Sequence, residues 1–101
     1  MAKAYISGKI SGLTVKDYTA KFAAMENELK AKGYDVVNPV TLIRGELGAN
    51  PKWEDCMKVA LRELLQCDEI HLLPCWKNSQ GAYLEWHIAE MLKIKIVNYL
   101  T

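Results

Sequence analysis

In the stretch Asn78-Ser79-Gln80-Gly81-Ala82-Tyr83-Leu84-Glu85-Trp86, an acid stands where a core-facing helix has no structural use for one. On a helix over residues 82–93, at about 100° per residue, Ala82, Leu84, Trp86, Ile88, Ala89 and Leu92 lie within about 100° of Glu85. Tyr83, His87 and Glu90 lie opposite. An unpaired charge in the middle of an apolar stripe is costly. The plain alternative is a carboxylate placed near a helix start by the dipole and the free backbone N–H groups. The chemical alternative is a carboxylate in a cleft, able to act as nucleophile, general base or ligand anchor.

Two loops carry the remaining chemistry. Ser7-Gly8-Lys9-Ile10-Ser11-Gly12 follows an apolar run containing Tyr5. Its small residues, hydroxyls and one cation make either an anion cradle or a flexible connection; it is neither a Walker loop nor a dinucleotide fingerprint. Lys77-Asn78-Ser79-Gln80-Gly81 opens the helix of Glu85. There the Ser79 hydroxyl and the backbone amides form either a phosphate or sugar-hydroxyl site or a capping turn. Trp76 and Trp53 offer flat faces for a base, or simple packing surface. His71 and His87 lack ligand partners at useful spacing, so neither a metal nor another cofactor is expected.

These residues need a scaffold. Lys3–Ile6 reads as a strand entering the first loop. Thr14 caps a helix with Tyr18, Phe22, Met25 and Leu29 at helical spacing, closed by Gly33. Residues 34–37 form a second strand that Asn38-Pro39 ends. Residues 40–50 read as the one long connection, with a helical turn near 41–46. Asn50-Pro51 signals the next helix start, followed by an apolar stripe of Trp53, Met57, Ala60, Leu61 and Leu64. Residues 69–73 form a third strand, the loop 74–80 leads to the helix of Glu85, and residues 93–99 supply a last strand. Strands and helices in alternation imply an α/β fold: a three-layer Rossmann or flavodoxin-like parallel sheet of order 2-1-3-4, helices on both faces. Ligands of such sheets bind at the switch point between the first and third strands, where the two loops meet.

Bulk properties set the outer limits. The 101 residues make one domain, 1–101, half hydrophobic, with net charge +1. That balance gives no field for nucleic acid or a membrane surface, and the apolar runs are too short to span a bilayer. The start lacks the pattern of a secretory signal. Cys56, Cys67 and Cys75 have no paired spacing, which suits a reduced, cytoplasmic protein.

The order Tyr5-Ile6-Ser7-Gly8, Asn38-Pro39, Trp53…Met57, Leu64-Leu65-Gln66-Cys67-Asp68 and Leu72-Leu73-Pro74-Cys75-Trp76-Lys77-Asn78-Ser79-Gln80-Gly81-Ala82…Glu85 resembles a small bacterial and phage family of the nucleoside 2-deoxyribosyltransferase-like superfamily. The resemblance implies cleavage of the bond between base and sugar in a small-molecule nucleotide or nucleoside, by a homo-oligomer. It makes Glu85 the nucleophile, Tyr5 the residue that positions it, and Ser79 a phosphate-binding serine like that of 2-deoxynucleoside 5-phosphate N-hydrolases. Ser7, Gly8, Lys9, Ser11, Gly12, Gly81 and Trp76 complete the expected substrate site. Three positions depart from the pattern: Lys9 replaces a proline, Cys75 a glycine, and Ala60 an aspartate that protonates or orients the leaving base. A nucleotide-binding module without turnover is therefore the alternative function.

Overall fold

Alternation along the first strand decides the architecture. Ala4 and Ile6 point to one side of it, Tyr5 and Ser7 to the other, and all four are buried. A strand buried on both faces belongs inside a sheet covered on both sides. The computed structural model, which describes residues 2–99, has that arrangement; residues 1, 100 and 101, spanned by the expected domain, lie outside the described residues. Strands β1 (Lys3–Ser7), β2 (Asp35–Val37), β3 (Glu69–Leu72) and β4 (Lys95–Asn98) form one parallel sheet of order β2-β1-β3-β4, as expected. Register pairs Tyr5 with Val37 on one side and Ile70 on the other, and Ser7 with Leu72.

Helix α1 (Val15–Ala31) covers one face. Its Phe22, Met25 and Leu29 pack on Ala4 and Ile6. Thr14 caps it, accepting from Asp17 N at 3.1 Å, and Gly33 at φ +91° follows its end. Helices α3 (Trp53–Leu64) and α4 (Gln80–Met91) cover the other face, where Ala60, Leu64, Ala82 and Ala89 meet Tyr5, Ile70 and Leu72. The polar side chains of β3 satisfy one another: His71 Nε2 lies 2.9 Å from Glu69 Oε1, and its Nδ1 2.8 Å from the Tyr99 hydroxyl.

Three boundaries differ from the sequence reading. The expected long connection after β2 is mostly a helix, α2 (Pro39–Leu47). Asn38 does end the strand, but it also starts this helix: its Oδ1 accepts from Val40 N at 3.0 Å, with proline at the first helical position. That arrangement satisfies an amide the helix start would leave bare. The second Asn-Pro pair, Asn50-Pro51, precedes a helix without capping it. Helix α3 begins at Trp53 after Lys52, with no side-chain cap; Glu54 and Asp55 in its first turn offset the dipole instead. Helix α4 also starts earlier than expected, at Gln80, because Ser79 is its N-cap.

Candidate active site

The order in which strands are added reverses at the gap between β1 and β3, and the crevice there is roofed by α2, α3 and the start of α4. A cavity of about 310 Å³ occupies it, at the small end of the range for ligand pockets. Glu85 closes its floor. The side chain is 6% exposed, and its two carboxylate oxygens are separately held. The Tyr5 hydroxyl donates to Oε2 at 2.6 Å, and the Ser7 hydroxyl donates to Oε1 at 2.6 Å. Strand alternation explains the pair: residues two apart on β1 share a face, and that face is the one α4 covers.

The electrostatics follow from this geometry. Burial pushes the Glu85 carboxyl up to about 7, while the hydrogen bonds from Ser7 and Tyr5 pull it back down. The Tyr5 phenol is held well above its ordinary value, chiefly by burial and then by the charge of Glu85. Tyr5 therefore stays a donor through the range near pH 7 in which Glu85 ionises. Each carboxylate oxygen keeps a further lone pair, and Glu85 is the one carboxylate among the described residues that line the cavity. A two-carboxylate glycosidase arrangement, acid and nucleophile a few ångströms apart, is thus not built here. What the site offers is a single, desolvated, oriented nucleophile or base.

The expected substrate residues divide. Gly8, Ser11, Ser79 and Gly81 line the cavity with Tyr5 and Glu85. Ser79 is committed as a cap, accepting from Ala82 N at 3.2 Å, which leaves its own proton to donate. Ser7 stands behind Glu85, buried, and acts on the carboxylate and not on the space in front of it. Gly8 is packed so closely that a Cβ there would lie 3.0 Å from Leu73 Cβ. Lys9 and Gly12 are not among the lining residues, and neither is Trp76. Trp76 is 6% exposed, packed against Trp86 and Tyr83, with its Nε1 donating to Asn98 Oδ1 at 3.3 Å. A single 3₁₀ turn, Trp76–Asn78, swings it inward. The tryptophan at the cavity is Trp53, at the start of α3.

Two features escaped the sequence reading. Tyr18 and Phe22 of α1 and Met57 of α3 form an apolar wall. Val40 and Ile43 of α2 form another, and the exposed Arg44 of the same helix also lines the cavity. The signal was available: Val40, Ile43 and Arg44 are spaced three and four apart, so they share a helix face, but only once the segment is known to be helical. Ala60, 2% exposed, also lines the cavity, so the position where the resemblance has an aspartate does face the space before Glu85. Among the described residues no group of three His, Cys, Asp or Glu is placed to hold a metal ion, and no helix is long and apolar enough to cross a membrane.

No curated protein matches the chain. The family profile described as a domain of unknown function, DUF4406, matches residues 2–98, and the chain belongs to that family.

Proposed function

We propose that this DUF4406 domain cleaves the N-glycosidic bond of a (deoxy)nucleoside 5-monophosphate or nucleoside, with Glu85 as nucleophile. The observation that carries the reading is the pairing of both Glu85 oxygens with Tyr5 and Ser7 at the floor of the cavity. A structural carboxylate would be spent on a cap or an ion pair. This one accepts two neutral donors, keeps its remaining lone pairs, and faces open space. It also falls where the superfamily resemblance expects the nucleophile.

In this reading the two hydroxyls aim the carboxylate at the anomeric carbon. The apolar walls keep water from solvating it, which preserves its nucleophilicity. The bond to the base breaks as the glycosyl ester forms, and water or a second base then resolves the ester. The phosphate sits at the start of α4, where Ser79 and the free amides of the first turn favour an anion, with Ser11 opposite.

Purified protein incubated with deoxynucleosides and nucleoside 5-monophosphates, with products resolved by chromatography, tests this directly. Release of free base that disappears in Glu85→Ala supports it; no release from any substrate by folded protein refutes it. Adding a second base separates transfer from hydrolysis, and light scattering tests the homo-oligomer that the resemblance implies. One observation favours a second reading, a nucleotide-binding module without turnover: Ala60 faces the cavity where an acid would protonate the leaving base. Loss of such an acid slows departure by about 10²–10⁴-fold.

A further inference from the structure

Arg44, an exposed residue in the last turn of α2, is the one cationic residue among the described residues that line the cavity. Among the described residues no carboxylate pairs with it: the neighbouring acid Glu46 is taken by Arg62 at 2.6 Å, and the other ion pairs are made elsewhere. The groups beside it are Val40 and Ile43 of its own helix, with Trp53 and Met57 also at the wall. The cavity is therefore polarised. Ser79 and the amides of the helix start line it at the α4 end, and Val40, Ile43 and the exposed Arg44 line it at the α2 end. A sugar phosphate suits the first, and a planar ring with an acceptor oxygen suits the second.

The chemistry also needs such a group. Ala60 has no proton to give. A departing base must then carry away the electron pair of the broken bond as an anion, and the barrier falls only where that charge is stabilised. We infer that Arg44 binds an acceptor oxygen on the leaving base and stabilises the charge developing there, so that the substrates are nucleotides of oxo-bases, such as uracil or hypoxanthine. This rests on the glycosidic reading above. The bond between the anomeric carbon and the ring nitrogen breaks heterolytically. Its electron pair delocalises onto the exocyclic carbonyl oxygen that Arg44 holds, while the Glu85 carboxylate forms the new carbon–oxygen bond. The base anion takes a proton from water. A second water attacks the anomeric carbon, breaks the ester and releases a proton, returning Glu85 to carboxylate. The balance is nucleotide plus water to sugar phosphate plus neutral base. An amino-base presents a donor to the guanidinium at the same ring position and meets a mismatch.

The test uses two matched pairs of deoxynucleoside 5-monophosphates, uracil against cytosine and hypoxanthine against adenine. Wild-type protein favours the oxo member of each pair. Arg44→Gln lowers kcat for the oxo members by about tenfold to a hundredfold and leaves the amino members near their wild-type values; Arg44→Lys recovers part of the loss. Calorimetry on Glu85→Gln protein, which cannot turn over, reads the same preference in binding. Base release that depends on Glu85 but shows no Arg44-dependent base preference overturns the inference and spares the glycosidic reading. A uniform rise in KM for every monophosphate, absent with nucleosides, also overturns it, because Arg44 would then hold the phosphate. If no substrate is cleaved, the glycosidic reading falls. Calorimetry then decides recognition: an oxo preference lost in Arg44→Gln upholds it, and equal binding sinks it.

Discussion

Replacing Glu85 by glutamine removes a charge that the fold holds at a cost, and the cost has a pH signature. An unfolded chain releases the Glu85 proton near its ordinary 4.5, whereas the folded protein keeps it until about 7. Between those values the folded state binds more protons, so stability falls as pH rises. The contribution is full below the lower value and gone above the upper one. At about 1.4 kcal/mol per tenfold, the span is worth about 3 kcal/mol. Glutamine keeps the size of the side chain and cannot ionise. It must turn one of the two hydroxyls, of Tyr5 or Ser7, into an acceptor, at a cost of about 1 kcal/mol that does not vary with pH. Glu85→Gln is therefore expected to match or trail the wild type at pH 5 and to exceed it by about 2 kcal/mol at pH 8.5. For a domain of this size that is roughly 8–16 °C in Tm. Thermal melts of both proteins across pH 5–9 give the answer, because every other titrating group is common to both and cancels. A stability difference that stays constant with pH would refute the reasoning. A wild type that gains on the variant as pH rises would reverse it, showing a carboxylate stabilised and not strained by its site.

Other consequences follow from the same geometry. Tyr5→Phe removes one of the two hydrogen bonds that hold the Glu85 carboxyl down; if the proposed reaction depends on the ionised carboxylate, the acid limb of its pH–rate profile moves upward, and the rate at pH 7 drops. An unmoved limb would show that Tyr5 does not tune the carboxylate. Ala60→Asp puts an acid in the cavity wall: base release rises tenfold or more (about 10²–10⁴-fold at most) and Tm falls from burying a carboxyl; a lower Tm with no gain in rate points to the binding module. Gly8→Ala drives a methyl to 3.0 Å from Leu73 Cβ, and denaturant titration should show a loss of about 1–3 kcal/mol.

How much of this was legible in the chain depends on range. Glu85 stood out because helical periodicity placed it mid-stripe, and that pattern is complete within a dozen residues. The 2-1-3-4 order followed from alternation and the handedness of crossovers. Helix α2 was misread because Asn38-Pro39 and Asn50-Pro51 look alike locally, and only packing decided which one caps a helix. The sequence offered both tryptophans as a flat face or as packing surface, and could not separate them. Trp76 and Trp53 have the same chemistry, and a 3₁₀ turn buries the first while the start of α3 brings the second to the cavity.

The chain by itself determined the elements, the faces they bury and the presence of an acid that the core did not need, because those properties arise from neighbours within a few turns. Tertiary structure alone decided what surrounds that acid. Ser7 and Tyr5 reach Glu85 across 78 and 80 positions, Ala60 arrives from a third element, and Arg44 from a fourth. Such approaches are set by how packed layers meet, and no local period in the sequence encodes them.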